Sequence, residues 1–368
     1  MVFIAGVIAT PLYREWGWSQ TVFFVMHGLV MVMKQHSYAW YNGYLSTVEG
    51  RRRGVMGRLK ELERVGGTRS STGQRRKSVK KFEADTVGFE EPLDEDQAQV
   101  LECMLRWEAD ALTDELKGKA TSAARAYPHN LTWGNFYEFI GLPTLVYELE
   151  YPRCDGVDWW YAAEKAAACF GVLFVMVLVS QAFIYPVVMD TVRWKDEGMP
   201  LSERFAHFPH MLLRLVFPFM MEYLLAWYLI WETILNFAAE VTRFADRRFY
   251  DAWWNSVSWD QFARDWNRPV HNFLRRHVYH SSISAMNVDK HTATLMTFFL
   301  SACAHELVMW CIFKKLRGYL LLLQMFQLPL VKLSRTRWLR DKAALGNVMF
   351  WFGIFTGPSI LCSLYLIL

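Results

Sequence analysis

The chain has 368 residues, 53% of them apolar and 16% aromatic, and a formal net charge of +4. So modest a positive charge speaks against a nucleic-acid-binding footprint and reads as loop charge facing the cytosol. The six cysteines (Cys103, Cys154, Cys169, Cys303, Cys311 and Cys362) show no CxxC pair or metal-ligand spacing, which argues for reduced, structural thiols.

Sustained apolar runs near the length that crosses about 30 Å of hydrocarbon point to an all-α, polytopic helical membrane protein. Seventeen tryptophans and sixteen tyrosines fit the aromatic belts of that class. The opening MVFIAGVIATPLYREW is too short for a span and lacks a small-residue cleavage site. It reads as the tail of a span whose beginning is missing, so residues 1–49 are expected to hold an incomplete set of N-terminal membrane segments, with TVFFVMHGLVMVM (21–33) as the first clear one.

Residues 50–130 form a charged loop in two halves. Residues 51–81 carry twelve Lys or Arg and read as disordered linker, whereas 82–115 carry twelve Asp or Glu and one Arg. Within the acidic half, VLECMLRWEADALTDEL (100–116) has helical apolar spacing and is expected to be a surface helix. RRKS around Ser78 matches a basic-directed phosphorylation site, and Asn130-Leu131-Thr132 matches a glycosylation acceptor that would go unused on a cytosolic loop.

Residues 131–368 are the expected transmembrane core. FYEFIGLPTLVYELEY (136–151) reads as interfacial or re-entrant, and the later spans are 166–189, 211–239, 292–313, 319–331 and 345–368. Two spans separate the basic loops 51–81 and 240–290, so both can be cytosolic by the positive-inside rule. Lys314, Lys315 and Arg317 then break the rule, and the topology of 292–343 stays open.

Along 290–313 the polar residues Lys290, Thr294, Thr297, Ser301 and His305 recur at spacings of 4, 3, 4 and 4, one face of a 3.6-residue helix. Two readings fit: ordinary helix packing through small hydroxyls, or one wall of a polar cavity. Glu306 points about a quarter-turn away, and Met309 at the position of a second histidine excludes an HExxH zinc site. No GxSxG elbow supports a seryl nucleophile, so His305 acting directly as a general base is the economical chemistry. Upstream, FYDAWWNSVSWDQFARDWNRPVHNFLRRHVYH (249–280) mixes aromatics, amides and arginines. That composition suits either a plain aromatic belt or the mouth through which an acidic, partly apolar ligand such as acyl-CoA enters.

FYDAWWN (249–255) resembles the FYxDWWN signature of the sterol and diacylglycerol branch of the membrane-bound O-acyltransferases. PTLVYELEYPR (143–153), MKQHSYAWYNGYL (33–45) and the His-Glu helix at 305–306 support the likeness, and WNRPVHNFLRRHVYHSS looks similar to the fungal sterol O-acyltransferases. The resemblance implies an endoplasmic-reticulum enzyme that moves a long-chain acyl group from acyl-CoA to a sterol hydroxyl. It implies a catalytic pair of His305 and Asn255, and acyl-CoA contacts at Phe249, Trp254, Asn255, Trp259, Asn267, Lys290 and Ser301. It further implies acyl-CoA as co-substrate with no other cofactor, a histidine buried within the membrane, and a homodimer or homotetramer. Diacylglycerol acylation, or a catalytically impaired lipid-binding or scaffolding relative, are the alternatives. One departure stands out: Ala252 occupies the signature's aspartate position, and Asp251 precedes it, which rotates a carboxylate by about 100° on a helix.

Overall fold

A computed structural model describes residues 2–67, 95–337, 339 and 342–367, so Ser78 lies outside the described residues. Among these there is no strand, only one isolated bridge between Arg153 and Phe244, and the regular elements are all helices. The elements are α1 (Val2–Tyr13), α2 (Trp18–Gly67), α3 (Glu95–Lys117), α4 (Trp133–Gly141), α5 (Trp159–Asp196), α6 (Leu201–Ala206), α7 (Phe208–Val241), α8 (Trp259–Asp265), α9 (268–286), α10 (Lys290–Phe313), α11 (Tyr319–Ser334) and α12 (Ala343–Ile367). They fall into two compact units: residues 1–37, 139–146 and 152–368, and residues 38–138 and 147–151.

In the smaller unit, α3 buries Leu105, Ala109, Leu112 and Leu116, the helical spacing expected of a surface helix. Within the basic half of the loop, residues 51–67 are helical, because α2 continues to Gly67. Arg51 pairs with Glu108 at 3.2 Å and Arg106 with Glu63 at 2.8 Å, so opposite charges on the two helices meet across the loop. Asn130 is 1% exposed; its amide donates to Asn42 Oδ1 (2.7 Å) and to the Tyr147 hydroxyl (3.0 Å). A glycan cannot reach an amide so enclosed.

Among the described residues the larger unit contains four helices long and apolar enough to cross a membrane: α5, α7, α10 and α12. They take up the expected spans 166–189, 211–239, 292–313 and 345–368. The expected 21–33 lies inside the 50-residue α2, and 319–331 inside the 16-residue α11. The stretch 136–151 resolves into the end of the nine-residue α4 followed by non-helical chain. Val187, Met211, Leu215 and Ile367 form a buried cluster where α5, α7 and α12 meet.

Two of the spans are not continuous α-helix. α5 passes through a π turn at Ser180–Ile184, two residues ahead of Pro186, whose ring would clash with a carbonyl one turn back in an unbroken helix. α7 has its π turn at Tyr228–Ile234. Ser180 donates to Glu222 Oε1 at 2.9 Å, a polar link between these two spans.

α12 fits closely against the segment that precedes α8. A Cβ added at Gly346 would stand 2.5 Å from the Val257 carbonyl oxygen, a backbone atom that cannot swing aside. Gly346→Ala is therefore expected to destabilise the protein by about 1–3 kcal/mol, the usual cost of overpacking. The readout is the thermal unfolding midpoint of the detergent-solubilised variant; a midpoint equal to the parent's would contradict this close approach.

Candidate active site

The FYDAWWN segment is held as a closed turn. The Arg268 N–H donates to the Phe249 carbonyl (3.0 Å) and the Asp251 N–H to the Asp265 carbonyl (2.9 Å), so the two ends of the 249–268 loop are fastened together. Trp253–Asn255 form a single 3₁₀ turn, with the Trp253 ring buried among Trp227, Trp266, Phe262 and Phe350. The Trp254 carbonyl accepts from Asn347 Nδ2 and Trp351 Nε1 on α12, both at 3.0 Å. Beyond the turn, Ser258 caps α8, and Asn267 caps α9 by accepting from the Val270 N–H at 3.2 Å.

The carboxylate displaced by one residue finds partners of its own. Asp251 pairs with Arg268 and, at 3.2 Å, with Arg248, whereas the Ala252 methyl group is exposed. Burial works against ionisation of Asp251, yet the two guanidiniums hold its carboxyl below the ordinary value. Tyr250 turns the other way and donates to Glu232 Oε2 at 2.7 Å. Burial and that carboxylate together raise the phenol pKa well above its usual value.

Of the residues expected to meet acyl-CoA, Phe249 is buried and Trp254 and Asn255 are exposed on the turn. Trp259 packs on Phe262 and Phe350 and lines a cavity of about 20 Å³ with Leu330, Leu333 and Met349, room for a water molecule and no more.

The polar stripe lies on α10 as its spacing requires. Asp289 caps the helix by accepting from the His291 N–H (2.9 Å) and the Thr292 N–H (3.3 Å), leaving Lys290 exposed in the first turn. Thr294 and Thr297 donate back to the carbonyls of Lys290 (2.8 Å) and Ala293 (2.7 Å). His305 Nδ1 lies 2.7 Å from the Ser301 carbonyl. A carbonyl only accepts, so Nδ1 carries the hydrogen and Nε2 presents its lone pair outward. Ser301 is half-buried, and the His305 ring is exposed on the surface of this chain.

Glu306 holds a neighbouring element. It is 3% exposed and accepts the N–H groups of Gly318 (2.6 Å), Leu320 (3.1 Å) and Leu321 (3.1 Å), together with the Tyr365 hydroxyl (3.3 Å). A carboxylate from α10 thus caps the N-terminus of α11, which otherwise starts at a left-handed glycine (Gly318, φ 76°) with no side-chain cap of its own. Lys34 serves the opposite end of another helix. Its ammonium donates to the carbonyls of Phe139 (3.0 Å), Ile140 (2.8 Å) and Leu142 (2.5 Å) at the close of α4, and burial lowers its pKa to about 8.

The expected site residues therefore form two groups, one on the 249–267 segment and one on α10. Among the described residues no hydrogen bond or ion pair joins His305 to Asn255: the His305 bond stays on its own helix, and Asn255 bonds through its backbone to Ala252. No cluster of three or more His, Cys, Asp or Glu is placed to hold a metal ion among the described residues, and all six cysteines are free.

Residues 79–367 match the model of the membrane-bound O-acyltransferase family. The chain is 41% identical over 350 residues to sterol O-acyltransferase 2 of Saccharomyces uvarum, an alignment covering 95% of this chain and 49% of that protein. It is 39% identical over 366 residues to sterol O-acyltransferase 2 of Candida albicans, covering 98% and 59%, and 40% identical over 350 residues to that of Saccharomyces cerevisiae, covering 95% and 50%. The chain spans about half the length of the curated relatives it matches. A family match over most of the chain, on an all-helical fold with four apolar helices of spanning length, has one meaning: the chain belongs to the membrane-bound O-acyltransferase family.

Proposed function

We propose that this chain transfers a long-chain acyl group from acyl-CoA to the 3-hydroxyl of a membrane sterol, with His305 as general base. The observation that carries this reading is the Nδ1 bond to the Ser301 carbonyl, which commits the imidazole to the tautomer whose Nε2 can take a proton. Nε2 removes the hydroxyl proton, and the sterol oxygen attacks the thioester carbonyl. The carbon–sulfur bond then breaks, and the imidazolium returns its proton to the departing CoA sulfur.

Asn255 hydrogen-bonds the acyl donor near the reacting carbonyl. Lys290 faces the CoA phosphates, while Phe249, Trp254, Trp259, Asn267 and Ser301 line the remaining path. Acyl-CoA is the co-substrate and no other cofactor takes part. The setting is the endoplasmic-reticulum membrane, with the protein as a homodimer or homotetramer. The names of the sterol O-acyltransferase relatives support the sterol as acceptor. The Asp251–Arg268 pair speaks against an impaired scaffold, because the signature turn keeps a carboxylate in use despite Ala252.

Membranes bearing this chain, given labelled oleoyl-CoA with a sterol and with diacylglycerol in parallel, are expected to yield labelled sterol ester. Label in triacylglycerol alone would move the assignment to diacylglycerol acylation, and label in neither product would overturn the enzyme reading.

A further inference from the structure

We propose that Glu232 and Lys165 are positioning residues that set the FYDAWWN turn in place through Tyr250, an inference that rests on the acyl-transfer reading only where the turn's role in turnover is concerned. The Glu232 carboxylate is shared: Oε1 takes the Lys165 ammonium at 2.7 Å, and Oε2 takes the Tyr250 hydroxyl at 2.7 Å. One side chain on α7 thereby ties the start of α5 to the second residue of the signature turn.

The backbone around Glu232 is shaped for this. Glu232 lies within the π turn Tyr228–Ile234, which adds a residue to the turn and rotates the side chains beyond it by about 100° relative to a continuous helix. Two carbonyls of this turn are satisfied in place: Asn236 Nδ2 donates to those of Trp231 and Glu232, each at 3.2 Å. A π turn costs regular hydrogen bonds, and here it sits at the one residue that holds both partners.

The same end of α5 grips the chain leading into the turn by a second route. The Tyr161 ring has Lys165 on it at 5.0 Å and Arg247 at 5.8 Å, and Arg247 also pairs with Glu240 at 2.6 Å. Glu240 in turn accepts the Asp158 N–H at 2.7 Å, just ahead of α5. Residues 247 and 250 are thus both referred back to α5, one through a ring and one through a carboxylate. The turn they lead into carries Trp254 and Asn255.

Trypsin cleavage after the exposed Arg248 reads the position of the turn without any turnover. Glu232→Gln and Tyr250→Phe are each expected to speed that cleavage about tenfold, the equivalent of one lost charge-assisted hydrogen bond. Ester formation should fall in both variants, and the double variant should be no worse than Glu232→Gln alone, since both changes break one link. Cleavage at the parent rate in either variant, or additive losses in the double variant, would overturn the proposal. If Glu232→Gln does not accumulate, Tyr250→Phe, which removes a single oxygen, decides alone. Should the parent chain form no ester while cleavage still responds, the positioning role stands and the acyl-transfer reading falls.

Discussion

His305→Ala is expected to abolish ester formation while leaving the protein inserted and folded. Among the described residues the imidazole makes one hydrogen bond, to a carbonyl one turn back on its own helix, and its ring is exposed. Removing it opens no core cavity and orphans no partner from another element. Exposed substitutions of this kind shift stability by only about 0.5 kcal/mol. Activity should respond very differently, since a positioned general base contributes roughly 10²–10⁴-fold. The informative measurement pairs labelled ester yield with the thermal midpoint of the same preparation. Turnover within a few-fold of the parent would sink the assignment of His305, whatever the stability.

Its neighbour should behave in the opposite way. Glu306→Ala leaves three backbone N–H groups at the start of α11, and the Tyr365 hydroxyl, without their acceptor. Each buried polar group so stranded costs about 1–3 kcal/mol, so a combined loss of about 3 kcal/mol or more is expected. The thermal midpoint and the yield of extractable protein should fall together, and activity with them. Glu306→Gln should lie between, because its amide oxygen still accepts whereas its NH₂ group faces other donors. A stable Glu306→Ala protein that has lost only turnover would show instead that Glu306 belongs to the chemistry. The pair of variants thus separates two residues that are adjacent in sequence and unlike in function.

What could be read from the sequence follows from what its periods encode. The stripe from Lys290 to His305 was legible because five side chains on one helix face need only the 3.6-residue repeat. The spans at 166–189, 211–239, 292–313 and 345–368 were legible from uninterrupted apolar runs. The length of α2 was not: an apolar window reports where lipid would accept a helix, and α2 continues through polar residues to Gly67. The partners of Glu306 were hidden because they lie 12 to 59 residues away, past a turn whose backbone no local pattern specifies. Lys165 and Glu232 are 67 residues apart and meet only because α5 packs on the π turn of α7. Asp251 shows the same limit: one of its arginine partners is 17 residues on.

The lysine that closes α4 has a consequence for the order in which the chain assembles. Lys34 and the carbonyls it serves are 105 to 108 residues apart. Synthesis runs from the N-terminus at about 5–20 residues per second, so Lys34 is made several seconds before its acceptors exist. During that interval its ammonium lacks these three acceptors. The last turn of α4, for its part, has no basic residue of its own. The end of one helix and the resting place of one charge are therefore settled in a single late event, a non-local contact whose loop-closure entropy must be met before either gains.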